Sequence, residues 1–174
     1  SLGRNKDSCI HMKESLIVLG TGNATVTLCY NTCFALSDGE EYILVDAGGG
    51  NGILRMIEDA GISWQKVHYA FLTHRHTDHM LGMVWVLRMI GTLMTNGKYD
   101  GDFHIYGHAE VIRDLDTISQ VTLDHRVTRH LGSRIFFIPV SDGEQALLAS
   151  YRLTFFDIGS TKTKQFGFTV RLHT

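Results

Sequence analysis

The chain reads as an α/β protein built on a mixed sheet, and three observations lead there. Short apolar runs rich in β-branched and aromatic residues recur from residue 16 to residue 172. Segments of helical period stand between them, so strands and helices interleave instead of forming separate blocks. One polar stretch, Thr73-His74-Arg75-His76-Thr77-Asp78-His79, is inserted between the apolar runs 67–72 and 80–90. A strand that feeds a polar turn and opens a helix is a frame for reactive side chains.

The elements follow in order. Residues 16–19 form a short strand ending in Gly20-Thr21-Gly22-Asn23. That glycine loop does not read as a phosphate loop, because no helical period follows it and Gly-Lys-Ser/Thr is absent. Residues 26–36 read as a second strand, Asp38-Gly39 as a hairpin turn and 42–45 as the returning strand. The returning strand runs into Asp46-Ala47-Gly48-Gly49-Gly50, where the backbone must turn tightly or be closely approached. Asn51 is placed to cap a helix to Ala60, with Ile53, Leu54, Ile57 and Ala60 on its buried face and Gly61 as its C′ residue. After the strand 67–72 and the polar turn, residues 80–93 are apolar nearly all round, as in a helix buried on several sides. Strands are expected at 103–106, 134–140, 151–158 and 165–172, and a helix at 108–118 with Val111, Ile112 and Leu115 inward.

Bulk properties narrow the function. At 174 residues the chain is sized for one domain, and 44% hydrophobic with 20% charged residues is a globular composition. A net charge of −2 provides neither a general basic field for nucleic acid nor a polybasic membrane patch. Three cysteines, Cys9, Cys29 and Cys33, are too few and odd in number for a disulfide scaffold, and they are expected as buried free thiols. No apolar run reaches a membrane span, and the cytoplasm is the expected compartment. Ser1 to His11 is polar, without a signal-peptide core. It reads as a cloning-derived segment joined at His11-Met12 to a domain covering residues 12–174.

The polar turn is suited to metal. His74 and His76 are two apart at a strand end and share a face, so both imidazoles can reach one ion. Asp78 and His79 follow where the chain changes direction, and they can aim at a second point nearby. Imidazole with carboxylate suits zinc, and also iron or manganese. Two such ions roughly 3.5–4 Å apart can share a hydroxide and stabilise both oxygens of a hydrolysis. The remaining histidines, His68, His104, His108, His125 and His130, are expected to be solvated or hydrogen-bonded. Lys162 and Lys164 read as solvated loop lysines, with attraction of an anion as the alternative.

The pattern His74-x-His76-x-Asp78-His79 resembles the signature of the metallo-β-lactamase fold. Leu19-Gly20-Thr21-Gly22 resembles that family's opening strand and loop, in particular in its ribonuclease Z-like branch, and Val45-Asp46-Ala47-Gly48 resembles its second motif. The resemblance is dense over residues 12–93 and looser beyond. It implies an αββα sandwich with mixed sheets and two divalent ions, zinc first, iron or manganese otherwise. It implies His74 and His76 on one ion and Asp78 and His79 on the other, Asp78 being the catalytic carboxylate, with Asp46 supporting the ligands from behind. A metal-activated hydroxide would attack a phosphodiester or ester, and a small-molecule or RNA phosphodiester would be the substrate.

The family pattern asks for three further ligands: a third histidine, a bridging aspartate and a late histidine. Before the strand that carries Phe166-Gly167-Phe168 the chain reads Phe156-Asp157-Ile158-Gly159-Ser160-Thr161-Lys162. Gly159 or a neighbour stands at the expected place of the third histidine, with Asp157 as the one potential substitute. His173 lies too close to the last strand to be the late ligand. Four ligands of seven are therefore recognisable, as expected of a domain incomplete at its C-terminus. An incomplete sandwich would expose the inner face of a sheet and favour a homo-oligomer. Two functions compete on this reading: a metal-dependent hydrolase, and a non-catalytic oligomeric protein on the same scaffold.

Overall fold

The computed structural model describes residues 13–172. The proposed leader, Cys9 and His173 lie outside the described residues. Among the described residues, nine strands form two sheets. The larger has six strands in sequence order: β1 (Ser15–Gly20), β2 (Cys33–Ser37), β3 (Tyr42–Val45), β4 (Val67–Leu72), β5 (Phe103–Gly107) and β6 (Ile135–Pro139). β1 to β3 form an antiparallel meander, and β3 to β6 run parallel, so the sheet is mixed. The smaller sheet is an antiparallel meander of β7 (Gln145–Leu148), β8 (Tyr151–Asp157) and β9 (Phe166–Val170).

The strand sequences explain the layering. In β4, Ala70 and Leu72 pack toward the helices, and Phe71, pointing the other way, stacks on Phe155 of β8 with ring centroids 5.4 Å apart. A central parallel strand is buried on both faces and therefore reads as a continuous apolar run. The helical layer comprises α1 (Gly52–Asp59), α2 (Thr77–Thr95), α3 (Ala109–Thr122) and the single turn α4 (His125–Thr128). α2 buries Met80, Met83, Val86, Leu87, Ile90 and Met94 and leaves Trp85 39% exposed, so it is sunk into the layer with one wet stripe. The second core lies between the sheets and contains Ile43, Val45, Tyr106, Leu148, Tyr151, Leu153 and Phe155.

Several sequence expectations change. The second strand begins only at Cys33; residues 23–32 form a loop instead, because Gly22 N–H bonds to Tyr30 O and Thr32 N–H to Gly22 O, folding the segment back on itself. Cys29 is consequently exposed, and Cys33 is the buried thiol. Asn51 occupies the N-cap of α1 without a side-chain bond, and Ala60 lies at the exposed end of the helix. Gly61 does take the left-handed C′ conformation, with φ +69°. β7 and α4 were not apparent from the sequence. The small sheet covers much of the inner face of the large one, yet Leu16 and Val18 of β1 remain 58% and 57% exposed. They adjoin an open apolar groove shared with Phe34, Phe168 and Val170.

Candidate metal centre

The parallel arrangement of β3, β4 and β5 brings their C-terminal ends to one edge of the sheet. Asp46 leaves β3, Thr73 to His79 leave β4, and His108 leaves β5. Crevices at the carboxyl ends of parallel strands are the usual ligand sites of α/β sheets.

Asp46 is 5% exposed and adopts φ +55°, a left-handed conformation that aspartate tolerates better than most residues. This backbone turn carries the carboxylate under the polar turn. Oδ1 accepts from Thr73 N–H at 2.8 Å. Oδ2 accepts from the Thr73 hydroxyl at 2.7 Å and from His79 Nδ1 at 2.7 Å. The Thr73 hydroxyl has one proton, and the carboxylate can only accept it. Its oxygen therefore accepts from His74 Nδ1–H, 2.8 Å away. Each of these two histidines thus has its Nδ1 proton fixed from behind and its Nε2 lone pair directed outward.

The outward atoms lie in two pairs. His74 Nε2 lies 3.1 Å from His76 Nδ1, and His79 Nε2 lies 3.4 Å from Asp78 Oδ2. His76 is the N-cap residue of α2, and its carbonyl accepts from His79 and Met80 N–H. Asp78 lies in the first turn of α2, where the helix dipole favours a carboxylate. Arg75 points away and ties the turn to α3, 2.6 Å from Asp114 and 3.7 Å from Glu110. Donor atoms of Asp46, His74 and His79 also lie within 4.8 Å of one another, which alone would be enough to surround an ion. The carboxylate already accepts three hydrogen bonds, however, so chemistry favours the outward set His74, His76, Asp78 and His79 as ligands, with Asp46 as their support.

Titration follows the same logic. The hydrogen bond that His79 donates to Asp46, opposed by burial, raises the pKa of His79. Burial, reinforced by the neighbouring His79, lowers that of His74. Protonation therefore concentrates on the ring that has the carboxylate behind it.

Two contributions to this centre have little sequence signal. Tyr30, from the loop misread as strand, places its hydroxyl 2.8 Å from Ala47 O and 2.7 Å from Gly50 O, and its ring lies against Gly48 and Gly52. Thr163, from the loop between β8 and β9, places Oγ1 3.0 Å from His76 Nε2. Asp157, weighed as a substitute ligand, is exposed and engaged with Gly159 N–H and Lys164. Lys164 also lies over the Phe166 ring, 5.6 Å from its centroid. His108 is buried and caps α3, accepting from Val111 N–H.

Fold and turn together define a protein of the metallo-β-lactamase fold, and its sequence relatives lie in the ribonuclease Z-like branch. More narrowly, the profile of the Anti-Pycsar protein Apyc1 family matches residues 14–172, and the chain belongs to that family. It is similar to ribonuclease Z of Pyrococcus horikoshii, with 39% identity over 93 residues, covering 53% of this chain and 28% of that protein. Human tRNase Z, short form, superposes with a TM-score of 0.65 at 18% identity, over 91% of this chain and 64% of that one. A diphosphatase from the PhnP family superposes with a TM-score of 0.68 at 16% identity, over 89% and 61%. The chain therefore spans less than a third of the length of the Pyrococcus relative.

Proposed function

We propose that this chain carries the metal-holding turn of a metal-dependent hydrolase that cleaves phosphodiester bonds. The observation that carries the reading is the pairing of outward donor atoms, His74 Nε2 with His76 Nδ1 and Asp78 Oδ2 with His79 Nε2, while Asp46 and Thr73 anchor from behind. Without a cation, two imidazole lone pairs 3.1 Å apart repel, so one proton must lie between them. His74 Nε2 and His76 Nδ1 would instead share a divalent ion once that proton has left the pair. Zinc suits such a nitrogen and carboxylate set, with iron or manganese as alternatives. When bound, such ions supply Lewis acidity and acidified water.

The chain's own residues have separate roles on this reading. His74 and His76 would hold one ion; Asp78 and His79 would hold a second. Asp46 keeps His79 and, through Thr73, His74 in the tautomers that leave Nε2 free. Asp78, whose Oδ2 lies 3.4 Å from His79 Nε2 while Asp46 is taken up behind the rings, is the carboxylate placed for the chemistry. The choice of a phosphodiester, including one in RNA, is supported by the names of the relatives, ribonuclease Z and tRNase Z. Metal analysis after loading with zinc tests the centre. Two ions per chain are expected, with one lost on His74→Ala, and no retained ion would overturn the reading. Chelator-sensitive cleavage of a generic phosphodiester by the metal-loaded protein tests the reaction.

A second reading, a non-catalytic homo-oligomer on this scaffold, is favoured by one observation. The apolar strip of Leu16 and Val18 beside Phe34, Phe168 and Val170 lacks a covering element among the described residues. Strips of this kind drive association when they exceed what a monomer ordinarily exposes.

A further inference from the structure

We infer that Thr163 is a positioning residue for His76, holding Nε2 of that ring so that Nδ1 faces His74. The inference rests on the metal-centre reading above and adds to it a residue from a distant loop.

The three histidines of the turn differ in how they are held. His79 is fixed by the Asp46 carboxylate, and His74 by the Thr73 hydroxyl that the same carboxylate orients. His76 is exposed and lies beyond the reach of that network. Its ring is set by two contacts, Nδ1 with His74 Nε2 at 3.1 Å and Nε2 with Thr163 Oγ1 at 3.0 Å. Remove the second, and the ring is free to rotate about its side-chain bonds in solvent.

The loop that supplies Thr163 is otherwise turned outward. From residue 158 to residue 164 every side chain is exposed except Thr163, which is half-buried. The base of the loop is closed by Ile158 N–H to Gln165 O and by Phe166 N–H to Thr73 O, the latter joining it to the end of β4. Lys164 is held by Asp157 and by the face of Phe166, so the residue next to Thr163 is also tethered. A β-branched side chain has few χ1 choices, which fixes the hydroxyl once the backbone is fixed.

A hydroxyl suits this place because it both donates and accepts. His74 Nε2 carries a lone pair, since its Nδ1–H is committed to Thr73. In the metal-free protein His76 Nδ1–H therefore donates to His74 Nε2, and Thr163 O–H donates to His76 Nε2. Were His76 Nδ1 to hold an ion, the ring proton would have to reside on Nε2, and the same Thr163 oxygen would accept it. The partner thus serves both tautomers without moving. Outer partners of metal-binding histidines fix ring orientation and tautomer in this manner, and their loss weakens metal binding about 10- to 100-fold.

The test compares the parent with Thr163→Val, which keeps the shape and removes the hydroxyl, and Thr163→Ser, which keeps the hydroxyl. Zinc affinity is measured by competition with a chromophoric chelator, and His76 is followed in long-range 1H–15N spectra. The Val variant is expected to bind zinc about 10- to 100-fold more weakly, with the Ser variant close to the parent. The zinc-loaded parent is expected to show His76 protonated at Nε2. Parent and Val variant binding zinc equally would overturn the role of Thr163 and leave the metal centre standing. Equal weakening in Val and Ser variants would also overturn it, because the hydroxyl would not be the cause. A parent that takes up no zinc would instead remove the metal centre itself, and this inference with it.

Discussion

Gly82→Ala is the substitution for which local propensity and tertiary structure predict opposite signs. In an isolated helix the change would stabilise by about 1 kcal/mol, because glycine has the larger conformational entropy to lose. In this protein a Cβ on Gly82 would lie 1.8 Å from Ala47 O, 2.6 Å from Ala47 C and 2.9 Å from Gly48 O. All three are backbone atoms that cannot rotate aside. They are held by the contacts the methyl would break, Ala47 N–H to His79 O at 3.0 Å and Gly82 N–H to Gly48 O at 2.8 Å. Relief requires α2 to lift from the turn after β3. The overpacking costs about 1–3 kcal/mol, and two backbone bonds contribute about 1 kcal/mol each. Set against the propensity gain, the net loss is about 3 kcal/mol, a fall in Tm of about 10 °C for a chain of this size. Gly91→Ala in the same helix is the control. Its Cβ would meet a side-chain atom first, Val127 Cγ1 at 2.6 Å, with the nearest backbone atom, Val127 Cα, at 3.3 Å, so its loss should be smaller. Thermal unfolding of both variants decides the matter: a Gly82→Ala protein as stable as its parent would refute the packing argument.

Further outcomes can be measured alongside it. Tyr30→Phe removes the hydroxyl that holds Ala47 O and Gly50 O and should cost about 1–2 kcal/mol in urea unfolding; an unchanged midpoint would count against its role. Asp46→Asn places an amide N–H₂ where Oδ2 stands, so His79 Nδ1 must accept and its proton moves to Nε2, away from ligation; zinc affinity should drop at least about 10-fold, visible by chelator competition. Burial, the leading cause in each, lowers the pKa values of His74, His108 and His130. Their contribution is present above the ordinary histidine value and lost as pH falls through it toward the folded values, whereas the raised His79 contributes below that value and loses its contribution as pH rises. In a His79→Gln protein, from which the opposing group is gone, the metal-free chain should lose stability between pH 7 and pH 5, and a flat urea midpoint over that window would contradict the assignment. Light scattering should show association through the strip of Leu16 and Val18, abolished by Leu16→Glu with Val18→Glu; a monodisperse monomer of the parent would end the oligomer reading.

What the sequence disclosed and what it hid differ by the range of the interactions. The turn at His74 to His79 was legible because strand, turn and helix are contiguous, so alternation and capping fix where its side chains point. β4 was legible for a related reason: burial on both faces leaves an uninterrupted apolar run. Residues 23–32 misled because Val26, Thr27 and Tyr30 have the composition of a strand, whereas Tyr30 is used to brace a glycine turn at Gly48 to Gly52 some 20 positions away. β7 was hidden by its composition, Gln145-Ala146-Leu147-Leu148, which lacks β-branched residues and becomes a strand only by pairing with β8.

The same distinction applies within the metal centre. Asp46 could be picked out because Val45-Asp46-Ala47-Gly48 resembles the second motif of the family, and its φ of +55° belongs to the tight turn that the following glycines mark. Thr163 carries no mark, since a threonine in a polar loop is ordinary until the fold brings it 3.0 Å from a histidine 87 residues earlier. Motif spacing can therefore nominate ligands, but the hydrogen bonds that decide each ligand's tautomer come from β3 and from the loop before β9. Whether four donors on one turn hold metal depends on those supports, and so the supports, and not the ligands alone, are the informative positions to substitute.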